Sequence, residues 1–295
     1  MPAGPPVRPP IAMTERLPVT VYPLRLAAPL ALFMALFFLA PLVVLAIVSL
    51  YTDPQMTQWG GTQWVKMFDR FGIGVLLDTL LLGLQVTLLC LVLGYALAWT
   101  YVRMPSRLQT VVIFVVMMPL LTSVVVRTFA WIVILGRQGI VNSVLMDLSL
   151  IDAPLRLLYT RTGLVVALAN VQMPLMVLPL INALQRIDPN LSDASSVLGA
   201  SDWRTFYRVT MPLSLPGVVA GCLLTFAAAI TAFISQSLIG GGQMLFMPMY
   251  LYQQASALSN YPFAAAISVT FLIAVLLCVS AFNVLGRMSR GYAHN

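Results

Sequence analysis

The sequence predicts an all-α, polytopic membrane protein with six transmembrane helices, and three observations lead there. Of its 295 residues 60% are apolar and 8% charged, and the mean hydropathy is +0.93. A soluble domain carries about 25% charged residues, so this chain has too little polar surface to wrap a water-exposed core. The apolar stretches are long and continuous, as in Ala31 to Leu50 and Val111 to Val126. A membrane barrel would instead alternate polarity over segments of about ten residues. Without water only a helix satisfies its own backbone, and crossing takes about 20 apolar residues.

Residues 1–25 hold seven prolines and the arginines Arg8, Arg16 and Arg25 without an apolar period, which predicts a cytoplasmic N-terminal tail. The first span follows at about Pro29–Tyr51. It exceeds the 7–15 apolar residues of a cleaved signal peptide, so it is expected to stay as an anchor. It forms, with its outer loop, a segment 26–74 ahead of a transmembrane core 75–287 and a short cytoplasmic tail 288–295. Five further spans are expected near Val75–Tyr101, Val111–Leu135, Gly163–Leu184, Leu215–Ile239 and Phe263–Leu285. Ile140, Val141, Val144, Leu145 and Leu148, in the loop Gly136 to Thr162, are spaced as one face of a short helix that lies along the membrane surface or dips into it.

With the N-terminus inside, the cytoplasmic segments hold ten of the sixteen basic residues: Arg8, Arg16, Arg25, Arg103, Arg107, Arg186, Arg204, Arg208, Arg287 and Arg290. The outer loops hold Lys66, Arg70, Arg137, Arg156 and Arg161, and Arg127 lies within a span. That bias puts both termini in the cytoplasm. The net charge of +7 is thereby an orientation signal, and no nucleic-acid partner is expected.

Several chemistries are excluded by count. The single histidine is His294, and Cys90, Cys222 and Cys278 are isolated in apolar runs, so neither a metal site nor a catalytic residue is expected. A phosphate-cradling GxxxxGK[ST] loop is impossible, because the only lysine, Lys66, follows Val65. The chain is expected to bind no cofactor and to be no enzyme.

The loop from Gln185 to Ser214, QRIDPNLSDASSVLGASDWRTFYRVTMPLS, stands apart. Pro189 ends the fourth span, Ser192 is a candidate N-cap for a first short helix, and Gly199 interrupts it. Ser201 caps a second helix that ends at Pro212. Val197, Leu198, Trp203, Phe206, Tyr207 and Val209 leave apolar surface that either packs back on the bundle or docks another protein.

The spacing Asp193-Ala194-Ser195, three residues, Gly199, nine residues, Val209-Thr210-Met211-Pro212 resembles the EAA loop of bacterial ABC importer permeases. That family's pattern is E-A-A, three residues, Gly, nine residues, I-x-L-P. Asp for Glu, Ser for Ala, Val for Ile and Met for Leu are the departures. MPLLTSVVVRTFAWIVILGRQGIVNSVL (Met118 to Leu145) and NYPFAAAISV (Asn260 to Val269) are similar to permeases of the spermidine/putrescine type. The resemblance implies a cytoplasmic coupling helix between spans 4 and 5, seated on a separate ABC ATPase that uses ATP and Mg. It further implies a second permease subunit, usually a different chain, and an external solute-binding protein in a bacterial inner membrane. Its coupling residues here would be Asp193, Ala194, Ser195, Gly199, Trp203, Phe206, Val209 and Pro212. A polyamine-like solute is the first guess.

Polar groups inside the spans are the remaining candidates for a solute path. Arg127 is the costliest, at about 2.5–3.5 kcal/mol at a span centre. It either snorkels outward or pairs with Asp78, or it faces the solute. Gln85, Asn170, Gln172, Thr231 and Gln236 stand as interhelical hydrogen-bonding groups or path-lining groups, with Thr87, Thr225 and Ser235 beside them. Pro174 and Pro179 are expected to kink the fourth span. Gly240-Gly241-Gly242 reads as a turn. The alternative function is a self-sufficient secondary transporter, which calls for inverted repeats and midplane ion ligands; neither is visible in the sequence.

Overall fold

The computed structural model describes residues 24–291, with side chains from 28 to 284. The parts of the expected tails at residues 1–23 and 292–295, His294 among them, lie outside the described residues. Among the described residues helices dominate, and the one extended pairing is Tyr51 with Trp59. Six helical segments are long and apolar enough to cross a membrane: Ala28–Val48, Arg70–Tyr101, Val124–Asp147, Arg161–Gln185, Asp202–Ile230 and Tyr261–Val284. The fold class is therefore as the composition requires.

The chain divides into two compact units, residues up to Val44 and residues from Leu45. The first contains most of α1 (Ala28–Val48), whose turn Ala35–Leu39 is a π-turn closed by the Ala40 amide on the Ala35 carbonyl. Pro41 follows at once. A proline has no amide for the carbonyl four residues back and its ring strikes that carbonyl, so a widened turn just ahead of it relieves the clash.

In the second unit, α2 (Thr62–Met67) leads into α3 (Arg70–Tyr101). Then come α4 (Ser106–Leu121), α5 (Val124–Leu135), α6 (Ile140–Asp147) and α7 (Arg161–Gln185). After them run α8 (Pro189–Val197), α9 (Asp202–Ile230), α10 (Phe233–Gly240), α11 (Met247–Tyr252) and α12 (Tyr261–Gly291). α7 is the axis. It packs against α3 and α9 through Leu164, Leu168, Met176, Val177 and Leu180, with Leu82, Val86 and Cys90 from α3. A smaller cluster joins α2, α3, α11 and α12 through Met67, Val75, Met247, Tyr250, Phe263 and Ile267.

Two expected spans are corrected by the structure. The third, Val111–Leu135, is not one helix. α4 stops at Leu121, Thr122 and Ser123 are extended (ψ 142° and 135°), and α5 starts at Val124. Pro119 removes an amide near the end of α4, and the Thr122 hydroxyl binds the Met118 carbonyl 2.9 Å away, so a local bond replaces the next helical turn. The fifth, Leu215–Ile239, breaks at Thr231–Ala232, where Ala232 takes ψ 58°. It also begins earlier than expected. The second loop helix does not end at Pro212 but continues through a π-turn, Phe206–Thr210, into the span. As at Pro41, the π-turn precedes the proline and is closed by the Met211 amide on the Phe206 carbonyl. The short helix expected in the outer loop is α6, held by the buried Asn142. Its amide nitrogen donates to the Gly136 and Leu155 carbonyls, 3.0 Å each, and its oxygen accepts from the Leu155 amide at 2.9 Å.

Between α1 and α2 a tight turn is organised by Asp53, which accepts from the amides of Thr57 (3.1 Å) and Gln58 (2.9 Å) and from the Thr57 hydroxyl (2.8 Å). These bonds, the Gln58 amide first, hold its carboxyl below the usual carboxylate value. A pKa lowered by folding means the stabilisation is full above the ordinary value and is lost as pH falls through the lowered one. Hydrogen exchange of residues 51–60 is therefore expected to lose protection on acidification below pH 3.8, and Asp53→Asn to remove that pH dependence. Unchanged protection through the acid range would contradict this.

Candidate functional site

The Gln185–Ser214 loop folds into a two-helix knob. Asp188, not Ser192, caps α8, its side chain accepting from the Asn190 amide at 2.9 Å with Pro189 in the first turn. Pro189 fits there because its missing amide is one of the helix's unpaired donors anyway. Gly199 stops α8 with φ +77°, a conformation that a side chain strains. Ser201 stands at the start of α9, without a side-chain capping bond. The two arms are joined by Ser195 Oγ and Thr205 Oγ1, 2.7 Å apart, with Thr205 buried.

The apolar residues of the loop separate into two groups that periodicity did not distinguish. Val197 and Leu198 are each 87% exposed at the tip, and Trp203 is 68% exposed. Phe206 instead faces the bundle. Its ring centroid lies 4.7 Å from Trp99 and 5.7 Å from Tyr95, both of α3, in edge contacts, and it stacks on Trp203 at 5.6 Å. Arg103 closes the cluster, its guanidinium 3.3 Å from the Trp99 ring centre and its Nη1 donating to the Trp99 carbonyl at 3.1 Å. Burial lowers the Arg103 pKa from its ordinary value, and the charge of Asp202 opposes that. Ser214 Oγ donates to the Met211 carbonyl, so Tyr95, 2.9 Å away, donates to Ser214. The sequence carries all these residues, but contacts from α3 to a loop more than a hundred residues on are not readable from spacing. Of the other motif residues, Asp193 and Ala194 are exposed on α8, while Val209 and Pro212 are half-buried beside the π-turn.

The intramembrane polar residues are dispersed. Asp78 does not pair with Arg127. It pairs with Arg161 at the start of α7 (3.0 Å), and Arg161 Nε also donates to Gln85 at 2.9 Å. The charge of Arg161 opposes the positive end of its own helix, so a carboxylate at this place compensates both. Asp78 and Arg161 line a cavity of about 380 Å³ with Arg70 and Gln243. Arg127 lies one turn into α5, and its Nε and Nη1 are buried without a partner among the described residues. The neighbouring Thr128 joins α5 to α10: it donates to the Val124 carbonyl (2.8 Å), so Ser235 donates to it (3.1 Å). Thr231 and Gln236 meet at the α9–α10 break. The Thr231 hydroxyl donates to Ala227 (2.7 Å), and Gln236 Nε2 donates to the Ala229 and Ile230 carbonyls (2.9 and 3.3 Å), capping the end of α9. On α7, Asn170 is exposed and Gln172 buried, so the two occupy different faces.

A family described as the binding-protein-dependent transport system inner membrane component matches residues 90–290, from within α3 through α12. The spermidine/putrescine transport system permease protein PotB of Salmonella typhimurium is 34% identical over 210 residues, covering 71% of this chain and 73% of that protein. PotB of Escherichia coli K12 is 32% identical over 219 residues (74% and 80%). The inner membrane ABC transporter permease protein YdcU of the same strain is 29% identical over 234 residues (75% and 74%). In structure, the chain is similar to a bacterial ABC transporter involved in the import of the acidic polysaccharide alginate. The TM-score is 0.75 at 18% identity, over 90% of this chain and 94% of that one, a likeness of fold. The family match covers more than half the chain, and the relatives are permeases of the same kind, so this is a multi-pass inner-membrane protein of the binding-protein-dependent transport system inner membrane component family, a permease subunit of an ABC importer.

Proposed function

We propose that this subunit imports a small polyamine-like solute by alternating access, paired with a second permease that is a different chain. A separate ABC ATPase supplies the energy, and an external binding protein delivers the solute. The relatives named as spermidine/putrescine permeases support the solute class. The bias of arginines toward the loops on the knob side supports cytoplasmic termini and a cytoplasmic knob. ATP and Mg belong to the ATPase, since the lone lysine rules out a phosphate loop here.

The observation that carries the coupling role is the knob's tip. Two aliphatic side chains almost wholly exposed on a cross-linked helix pair, the first helix capped by Asp188, form an apolar point at the end of a span. Such a surface fits a cleft on a partner and transmits a rigid-body displacement. Asp193, Ala194, Ser195 and Gly199 shape that point, while Val209 and Pro212 join it to the span. Arg127, Asp78, Gln85, Asn170, Gln172, Thr231 and Gln236 are the polar groups from which the solute path is drawn.

Leu198→Asp puts a charge at the tip without touching the bundle, and is expected to abolish co-purification of the ATPase while leaving permease abundance unchanged. Gly199→Asp, which adds strain at φ +77° as well as charge, is expected to do the same. A Leu198→Asp protein that still bound the ATPase and imported labelled spermidine at the wild-type rate would remove the docking role.

A further inference from the structure

The break between α9 and α10 opens a second feature, separate from the knob. A pocket of about 310 Å³ lies beside it, lined by Thr231, Phe233, Pro248, Leu251, Tyr252 and Phe271. We propose that this pocket is an intramembrane subsite for an alkylammonium group, holding the aminated end of the solute during passage. The inference rests on the polyamine reading for its biological solute, though its chemistry is argued from the pocket.

Four observations point to a cation on an aliphatic chain. The rings of Phe233 and Tyr252, centroids 5.2 Å apart and tilted by 42°, both line the pocket, and an ammonium is attracted to the negative face of such rings. α9 ends here at Ile230 after 29 residues, so the negative end of its dipole is directed at the break. Next to the α9 end the break also holds one unspent acceptor. Gln236, almost fully buried and not itself in the pocket wall, spends its donor on the α9 carbonyls. Its Oε1 has no donor among the described residues, which adds to the negative end of that helix. Finally, Leu251, Pro248 and Phe271 give an apolar wall suited to methylene groups.

Irregular backbone at membrane depth is stable only inside protein or along a water-filled cavity. Thr231 at the break is exposed, so the cavity side is the consistent placement. Broken helices whose carbonyl ends face a cation are a recurrent arrangement in transporters. Arg127, whose buried Nε and Nη1 have no partner among the described residues, is not among the lining residues, and neither is any carboxylate. The site is accordingly weak, which suits transit: a solute must bind well enough to enter and loosely enough to leave.

The test uses the complete importer in lipid nanodiscs with 4-fluorophenylalanine placed at Phe233, read by fluorine resonance. Titration with putrescine or spermidine is expected to shift the resonance saturably in the millimolar range. 1,4-Butanediol, of matching length and uncharged, is expected to act at least tenfold more weakly. Tyr252→Leu, which keeps apolar bulk but removes the ring, is expected to weaken the amine response at least threefold. Equal responses to diamine and diol, or none to either amine, would overturn the subsite. Import of labelled spermidine by the reconstituted system with its binding protein is measured separately. Failure of import with an intact amine response would sink the assigned solute while sustaining the pocket.

Discussion

Replacing Gly217 or Gly221 by leucine is expected to be the most damaging single change in the chain. α9 crosses α7 at these two positions, four residues apart, where only hydrogen fills the gap. A Cβ on Gly217 would lie 2.5 Å from the Ala183 Cβ and 2.7 Å from the Pro179 carbonyl oxygen. One on Gly221 would lie 2.7 Å from Met176 Sδ and 3.0 Å from the Met176 carbonyl oxygen. Part of each obstruction is backbone, which cannot rotate aside as a flexible side chain can. Helices in lipid associate through close van der Waals contact rather than water release, so a lost close approach is not compensated elsewhere. Overpacking costs about 1–3 kcal/mol per site, and the backbone contacts put these sites at the upper end. Membrane abundance and the unfolding midpoint in detergent are expected to fall sharply for Gly217→Leu and Gly221→Leu. Gly74→Ala, on α3 with nothing within 4 Å of the added carbon, is expected to leave both unchanged. A Gly217→Leu protein as stable as wild type would mean that α7 and α9 do not cross as described.

The second large effect is expected at Phe206, and it is one of coupling rather than abundance. Phe206 touches Tyr95 and Trp99 of α3 and also Trp203 and Tyr207 of its own helix. Aromatic pairs of this kind contribute about 0.5–1.5 kcal/mol each beyond area burial. Truncating a core phenylalanine costs about 3–5 kcal/mol, and Phe206 is half-buried, so about 2 kcal/mol is expected for Phe206→Ala. That loss loosens the knob from the C-terminal end of α3 while its tip, Val197 and Leu198, is untouched. The ATPase is then expected to bind normally and to hydrolyse ATP, with at least tenfold less solute imported per ATP. Trp99→Ala attacks the same junction from α3 and also frees Arg103, so it is expected to uncouple similarly; Phe206→Tyr, which keeps the ring, is expected to restore import. The measured quantity is the ratio of solute imported to ATP hydrolysed in vesicles. An unchanged ratio in both alanine variants would show that displacement of the knob reaches the bundle along α9 alone.

These two sites illustrate different degrees of legibility. The π-turns before Pro41 and Pro212 show that a proline in an apolar run is not a stop signal by itself. When the preceding turn widens, the helix passes through, and the second loop helix runs on into the fifth span. The breaks at Thr122–Ser123 and Thr231–Ala232 escaped hydropathy because both sides of each break are equally apolar. Asp78 and Arg127 were plausible partners by depth, yet Asp78 meets Arg161, whose place at the start of α7 depends on how the loop 136–160 folds around Asn142. The division of the loop's apolar residues into an outward tip and an inward anchor was likewise beyond periodicity, since it is set by the contacts of Phe206 with Tyr95 and Trp99 of α3.

By itself the sequence determined the solvent and the address of this protein. Its scarcity of charge forces it into lipid, the length of its apolar runs makes it helical, and the spacing around Gly199 marks the knob. These are one-dimensional properties, fixed by composition and periodicity because the bilayer imposes the same requirement on every segment. Only the tertiary structure decided which helices break, which glycines let α7 and α9 touch, and which aromatic side chain grips α3. It also decided where two aromatic rings and a helix end converge beside Thr231. Those depend on contacts between residues far apart in the chain, whose energies are set by approach distances of a few tenths of an ångström that no spacing rule encodes.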